Sequence, residues 1–216
     1  MEVIRIVIDF ILHIDRHLVE ITNDYKTWTY LILFLVIFAE TGFVVTPFLP
    51  GDSLLFAVGA LIAKGTTGLD IYLMAVILLI AAIAGNTTNY FIGNYLGVKV
   101  FKPENKILKL DYYLKTQVFF NKYGGKAIIF SRFIPIIRTV APFVAGVGKM
   151  NFGSYTIYNI VGGFAWVFSF LFIGYIFGNI PVVKENFTIV VFGITLLSIA
   201  PPIYAALLPR FKKNKI

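Results

Sequence analysis

The stretch Ala127-Ile-Ile-Phe-Ser-Arg132-Phe-Ile-Pro135-Ile-Ile-Arg138-Thr-Val-Ala-Pro142-Phe-Val-Ala-Gly-Val-Gly148 is apolar enough for a membrane, yet two prolines and two arginines interrupt it. Before it, residues 99–126 carry seven lysines (Lys99, Lys102, Lys106, Lys109, Lys115, Lys122, Lys126) against Glu104 and Asp111. After it, the chain ends on Arg210-Phe-Lys-Lys-Asn-Lys215. The positive-inside preference makes both basic regions cytoplasmic. Two ordinary apolar spans, near 153–178 and 187–208, lie between 127–148 and the tail. An even number of crossings is left for 127–148, which predicts a re-entrant hairpin on the cytoplasmic side. Arms of about 8–10 residues, roughly 12–15 Å each, would bring its tip to the midplane of a ~30 Å core.

The rest of the chain fits a membrane. Of 216 residues, 58% are hydrophobic and only 14% charged. A soluble domain carries about 25% charged residues, so this chain lacks the polar groups to coat a water-soluble globule. With no cysteine, disulfide scaffolds and thiolate metal sites are excluded. Residues 28–47 hold one charge, Glu40, and residues 71–98, 150–183 and 187–209 hold none. A second interrupted stretch, 43–63, contains Pro47, Pro50, Gly51 and Asp52. Read as a hairpin, it enters from the outer side. Residues 1–26 space Glu2, Arg5, Asp9, His13, Arg16 and Glu20 three or four apart among apolar residues. That spacing reads as an amphipathic helix at the interface or packed on the bundle, not a signal peptide.

The expected architecture is an all-α membrane protein of one domain, 1–216, with about four spanning helices. Its first half is 27–98 with an outer hairpin at 43–63, and its second half is 127–209 with an inner hairpin at 127–148. Between them lies the basic segment 99–126. The amphipathic helix 1–26 and the tail 210–216 are both cytoplasmic.

The halves echo one another. Phe48-Leu-Pro50 matches Phe133-Ile-Pro135, and Phe91-Ile-Gly93-x-x-x-Gly97 matches Phe172-Ile-Gly174-x-x-x-Gly178. A lone Gly-x-x-x-Gly means close helix packing. Two copies, each following a Phe-x-Pro hairpin, point to an inverted repeat with broken helices, as in many secondary transporters.

Glu40, Asp52, Arg132 and Arg138 are the ionisable residues inside the apolar segments. Each costs about 2.5–3.5 kcal/mol in the membrane if left unpaired. Convergence in one polar chamber relieves that cost. As structure alone, they would be two buried ion pairs. As function, the arginines suit a phosphate, which they grip bidentately, and the break at Pro135 frees backbone N–H groups beside them. The acids suit proton coupling, because burial and arginine shift a carboxyl pKa in opposite directions. Pro47, Pro50, Gly51, Pro135 and Pro142 are the expected hairpin breaks. Asp52 or Ser53 also reads as a helix N-cap. Asn86, Asn89 and Ser131 are candidate cavity-lining groups, and Asn94 a helix bridge.

Enzyme chemistry finds no support. The only histidines, His13 and His17, lie far in sequence from the arginines, and no further metal ligands accompany them. A phosphate-binding loop and a nucleophile elbow are both missing. No cofactor, metal or nucleic acid is expected.

Two long stretches carry a family resemblance. One is Phe119-Phe-x-Lys-Tyr-Gly-Gly125 with Phe130-Ser-Arg132-Phe-Ile-Pro135-Ile-Ile-Arg138, continuing to Ala141-Pro142, Ala145-Gly146, Met150 and Tyr158-Asn159. The other is Phe38-Ala-Glu40-Thr-Gly-x-x-x-Thr-Pro-Phe-Leu-Pro50-Gly-Asp52-Ser-Leu-Leu-Phe56. Together they resemble the DedA family (SNARE-associated or VTT domain). The resemblance implies a multi-pass bacterial inner-membrane protein with two opposed re-entrant hairpins that moves membrane lipid. It implies recycling of undecaprenyl phosphate, dependence on the proton motive force, and function tied to the pairs Glu40/Asp52 and Arg132/Arg138. This chain differs from many members at Asn86, where an aspartate is common. The expected function is therefore a flippase-like transporter of a phosphate-headgroup lipid, with lipids and protons as partners and room for a homo-oligomer. The alternatives are a proton-coupled transporter of an ion or small molecule and a structural assembly factor.

Overall fold

A computed structural model of the chain describes residues 27–43, 51–65, 67–97 and 110–181, together with Val183, Ile189, Val190 and Gly193. The amphipathic helix 1–26, Pro47, Pro50, most of the last span and the basic tail lie outside these residues. Among the described residues every regular element is helical. In chain order they are α1 (Trp28–Gly42), α2 (Gly51–Ala63), α3 (Ile71–Leu96), α4 (Leu110–Tyr123), a 3₁₀ turn at Gly124–Lys126, α5 (Ala127–Ser131), α6 (Pro135–Val147) and α7 (Phe152–Gly178).

Helices α3 and α7 have 26 and 27 residues, with mean hydropathies of 2.0 and 2.1 over their most apolar windows. At 1.5 Å per residue each is about 40 Å long, enough to cross a ~30 Å hydrocarbon core. They are not the sheathed core helices of a soluble protein. Tyr72, Leu73, Val76 and Ile80 form an exposed apolar stripe on α3, and Ile157, Ile160, Val161 and Phe164 form one on α7. Their spacing of three and four residues sets each stripe on one helix face. Such a face is stable against lipid tails and costly against water. The hydroxyls of Thr87 and Thr88 donate to Ile83 O at 2.7 Å and Ala84 O at 3.0 Å, so these side chains need no water inside the bilayer.

The remaining apolar helices are shorter. Helices α2 and α6 have 13 residues each, about 20 Å, too short to cross. Around Pro135 the arms are unequal, five residues in α5 and thirteen in α6, and not two arms of similar length. The boundary expected at 126/127 falls at the end of the 3₁₀ turn.

Proline explains the asymmetry. The residue before a proline is driven out of the α region, and Ile134 is extended at φ −115°, ψ 108°. Pro135 then opens α6 at its first turn, where a missing N–H costs nothing. Pro142, expected as a second break, lies inside α6. It removes only the N–H that would have bonded the carbonyl four residues back, that of Arg138. Gly51 is the first residue of α2, and Asp52 lies in that helix's first turn, not at its cap. An acid there is favoured by the helix dipole.

The chain divides into two compact units. Among the described residues, one contains 27–29, 51–65, 67–71 and the chain from 170 onward, and the other contains 30–43, 72–97 and 110–169. Each therefore takes a helix from either half of the sequence: α2 with the end of α7 in the first, and α3 with α6 in the second.

The two Phe-Ile-Gly copies make the same contact in the two units. In the second, a Cβ on Gly93 would fall onto the Phe143 carbonyl, and one on Gly146 onto the Tyr90 carbonyl and within 2.7 Å of Asn94 N. In the first, a Cβ on Gly174 would fall onto the Phe56 carbonyl, and one on Gly59 onto the Leu171 carbonyl and within 2.9 Å of Tyr175 N. The register is identical. Gly93 follows Tyr90 by three residues as Gly174 follows Leu171, and Gly146 follows Phe143 by three as Gly59 follows Phe56. Backbone meets backbone at both crossings, which is how helices associate where lipid removes the hydrophobic drive.

Because a backbone carbonyl cannot step aside, Gly93→Ala and Gly174→Ala should each destabilise the protein by about 1–3 kcal/mol. Gly193→Ala, with nothing within 4 Å of its Cβ, should stay within about 0.5 kcal/mol of the parent. Thermal unfolding in detergent micelles reads all three.

Candidate functional site

The second unit gathers polar groups from five segments into one buried network. Helix α1 brings Glu40 and Thr41, α3 brings Asn86 and Asn89, and the α5–α6 break brings Arg132. Helix α6 brings Arg138 and Thr139, and α7 brings Tyr155, Asn159 and Trp166. The break places the arginines on either side of Pro135: Arg132 closes α5, and Arg138 sits in the first turn of α6, its N–H bonded to Ile134 O at 2.9 Å. Close approach of α1 to α3 depends on Gly42 and Gly85, since a Cβ on Gly85 would overlap Thr41 Oγ1 and lie 2.8 Å from Phe38 O.

Glu40 is 2% exposed, and its Oε1 pairs with Arg138 Nη2 at 2.7 Å. Arg132, 3% exposed, is held differently. Its Nη2 donates to Asn159 Oδ1 at 2.6 Å and, at longer range, to Ala82 O at 3.4 Å. The Asn86 amide is oriented with its oxygen 3.0 Å from Arg132 Nη2 and its nitrogen 3.3 Å from Thr41 O. Reversal would set an NH₂ group against the guanidinium. The Trp166 ring lies 6.0 Å from the Arg132 guanidinium carbon, within cation–π range.

Asn159 in turn donates through Nδ2 to Ile83 O at 3.1 Å and Thr87 Oγ1 at 3.2 Å. The Tyr155 hydroxyl donates to Asn86 O at 2.7 Å. Asn89 ties three elements together, donating to Thr139 O at 2.9 Å and Thr41 O at 3.4 Å. A small cavity of about 20 Å³ is lined by Glu40, Thr41, Asn86, Arg132, Arg138, Thr139 and Trp166. That is room for a water and not for a phosphate.

Three of the four intramembrane charges, Glu40, Arg132 and Arg138, thus meet in one network. The fourth, Asp52, belongs to the first unit. Asn86 and Asn89 join the network as expected. Ser131 is buried but bonds locally, donating to Ile128 O at 2.9 Å, and Asn94, expected as a helix bridge, is exposed. Sequence reasoning gave Asn159, Tyr155 and Trp166 no part in the site. Their signal was a stripe at spacings of four and seven along an uncharged helix, with an amide in its middle.

Comparison with known proteins settles the family. The VTT domain model matches residues 49–176. Protein DedA of Escherichia coli is 51% identical over 202 residues, covering 93% of this chain and 92% of the relative. This chain belongs to the DedA family of membrane proteins. An uncharacterized membrane protein of Mycobacterium leprae is 38% identical, over 80% of this chain and 77% of its own length. Inner membrane protein YqjA of E. coli is 36% identical, over 71% and 69%. No solved structure matches the chain significantly. In this DedA-family chain the network lies within the matched region except for Glu40 and Thr41 of α1, which precede it.

Removing one partner of a buried ion pair leaves an uncompensated charge and costs about 3–5 kcal/mol. Arg138→Gln should therefore be more destabilising than the double variant Glu40→Gln with Arg138→Gln. Chemical unfolding in micelles, run as a double-mutant cycle, checks the order. Equal stability of single and double variants would contradict the pair.

Proposed function

We propose that the protein is a transporter of phosphate-headgroup lipids in the bacterial inner membrane. The observation that carries this reading is the meeting of buried Arg132 and Glu40 with partly buried Arg138 around a single chamber in a membrane-spanning fold. Arginine grips phosphate through paired N–H donors and stays charged in a dry site. The name of the relative YqjA, an inner membrane protein, supports the location. The family resemblance supports undecaprenyl phosphate as cargo.

In this reading the ion pair is the resting state. A headgroup phosphate takes the place of Glu40 on Arg138, and the displaced carboxylate takes up a proton. With two arginines and one acid the empty chamber keeps one net positive charge, and a singly charged phosphate that arrives as Glu40 is protonated leaves that charge unchanged, while the lipid tail stays among lipid tails. Asp52 is proposed as a second acid of this cycle. The chamber must widen to admit a phosphate, because 20 Å³ holds about one water. The duplicated glycine crossings support an inverted repeat, with α2 and α6 as half-span arms of opposed re-entrant hairpins. Movement of one repeat against the other would open the chamber to each side in turn. Both termini are proposed to be cytoplasmic. The cargo leaves chemically unchanged, so no catalytic group is invoked.

The water-sized chamber favours one second reading, proton-coupled passage of a small ion with no lipid cargo. Native mass spectrometry of the purified protein with undecaprenyl phosphate separates the two. Bound lipid, lost in Arg138→Ala, is the outcome expected of a lipid transporter.

Arg132→Ala and Arg138→Ala should each abolish movement of a phosphate lipid in reconstituted vesicles. Undiminished movement in both, by folded protein, would rule out the headgroup role.

A further inference from the structure

The two arginines of the chamber are held by chemically different partners. Arg138 meets a carboxylate, Glu40, at 2.7 Å. Arg132 meets only neutral acceptors among the described residues: Asn159 Oδ1, the Asn86 amide oxygen and, at longer range, the Ala82 and Asn159 carbonyls. All of these reach Nη2, and Arg132 Nε has no hydrogen-bond partner among the described residues. The side chain is nonetheless fixed in place. Trp166 lies over the guanidinium. On α7, a Cβ at Gly162 would lie 3.3 Å from Arg132 Cδ and 3.4 Å from Nε, and one at Gly163 3.4 Å from Nη2. The guanidinium thus lies against a helix surface shaped by two glycines.

We infer that Asn159 is a positioning residue, a neutral clamp that fixes Arg132 in the chamber while leaving its charge for an anionic phosphate. The amide is suited to this in both its halves. Its Nδ2 is engaged by Ile83 O and Thr87 Oγ1 on α3, so the amide cannot flip, and its oxygen must face the arginine. An aspartate here would hold the guanidinium more tightly. It would also set a negative charge where a phosphate must come, and like charges at close quarters repel. Burial argues the same way: Asn159 is fully buried, and a residue needed only to join α7 to α3 would not have to be an acceptor for a cation. The chamber thereby divides its labour. The charge on Arg138 is masked until Glu40 releases it, and the charge on Arg132 is permanently on offer. This inference rests on the phosphate reading of the chamber.

The test uses full-length protein in maltoside micelles, with Trp28→Phe as the parent so that Trp166 is the sole tryptophan. Titration calorimetry measures binding of dodecyl phosphate and, in a second arm, inorganic phosphate. Binding of the amphiphile alone identifies a lipid headgroup as the source of the anion, and equal binding of both identifies free phosphate. Asn159→Asp gives up the two Nδ2 donations to α3 but keeps an oxygen on Arg132, and its folded fraction should bind phosphate at least about tenfold more weakly. A purely structural asparagine predicts unchanged phosphate binding in the protein that remains folded, and N159D that binds phosphate as the parent does overturns the inference. Should N159D misfold, Asn159→Ser, which keeps a neutral but shorter oxygen, takes its place. Its Trp166 emission should shift as the guanidinium moves, and unchanged emission with unchanged binding overturns the inference as well. If the parent binds neither phosphate, the headgroup reading itself fails. The clamp is then judged on Asn159→Leu, whose Trp166 emission must differ from the parent's for the clamp to stand.

Discussion

A guanidinium inside a bilayer must be met by acceptors that water would otherwise supply. At about 2.5–3.5 kcal/mol for each bare charge, two arginines and an acid would strain a protein of this size. The second unit removes the cost by bringing Glu40 to Arg138 at 2.7 Å and by surrounding Arg132 with amide and carbonyl oxygens. Nearly every other feature of the unit follows from that need. Asn89 bonds the backbone beside both members of the pair. Helix α3 turns an amide-bearing face inward and an apolar face outward. Gly85 lets α1 come close enough for Glu40 to reach.

Glycine supplies the second constraint. Apolar side chains gain little by leaving lipid for protein, so helices in a membrane associate through close backbone approach. The crossings at Gly93/Gly146 and Gly59/Gly174 achieve this in one register in two separate units. Each joins a 13-residue helix to one end of a long one. The equivalence extends to the residue three positions before each glycine, which is more than a shared motif requires. Each unit is assembled from both halves of the chain.

Much of this was legible beforehand. The charge-free runs 71–98 and 150–183 announced α3 and α7, because hydropathy over some twenty residues depends on little but composition. Pro135 announced a break, because a proline restricts the residue before it whatever surrounds it. The repeated Phe-Ile-Gly announced close packing. Other features were not legible. Pro142 looked like a second break, yet α6 continues through it, because one missing N–H is tolerable in a helix whose neighbours pack well. Ser131 looked like a cavity group, yet its hydroxyl found the Ile128 carbonyl a turn away. Asn159 entered only as part of the family-like Tyr158-Asn159 pair, and nothing along the chain tied it to Arg132.

The sequence by itself determined the solvent, the two long helices, the break at Pro135 and the identity of the charged residues. These are local properties, set by composition, by proline and by spacing along the chain. Only the tertiary structure decided which charge meets which. It gave Glu40 to Arg138, left Arg132 to neutral oxygens, and recruited Asn159 and Trp166 from a helix some thirty residues away. The pairing of two like arginines with different partners depends on how α1, α3, α6 and α7 cross. That crossing is fixed by glycine contacts between residues tens of positions apart, a distance that no local pattern records.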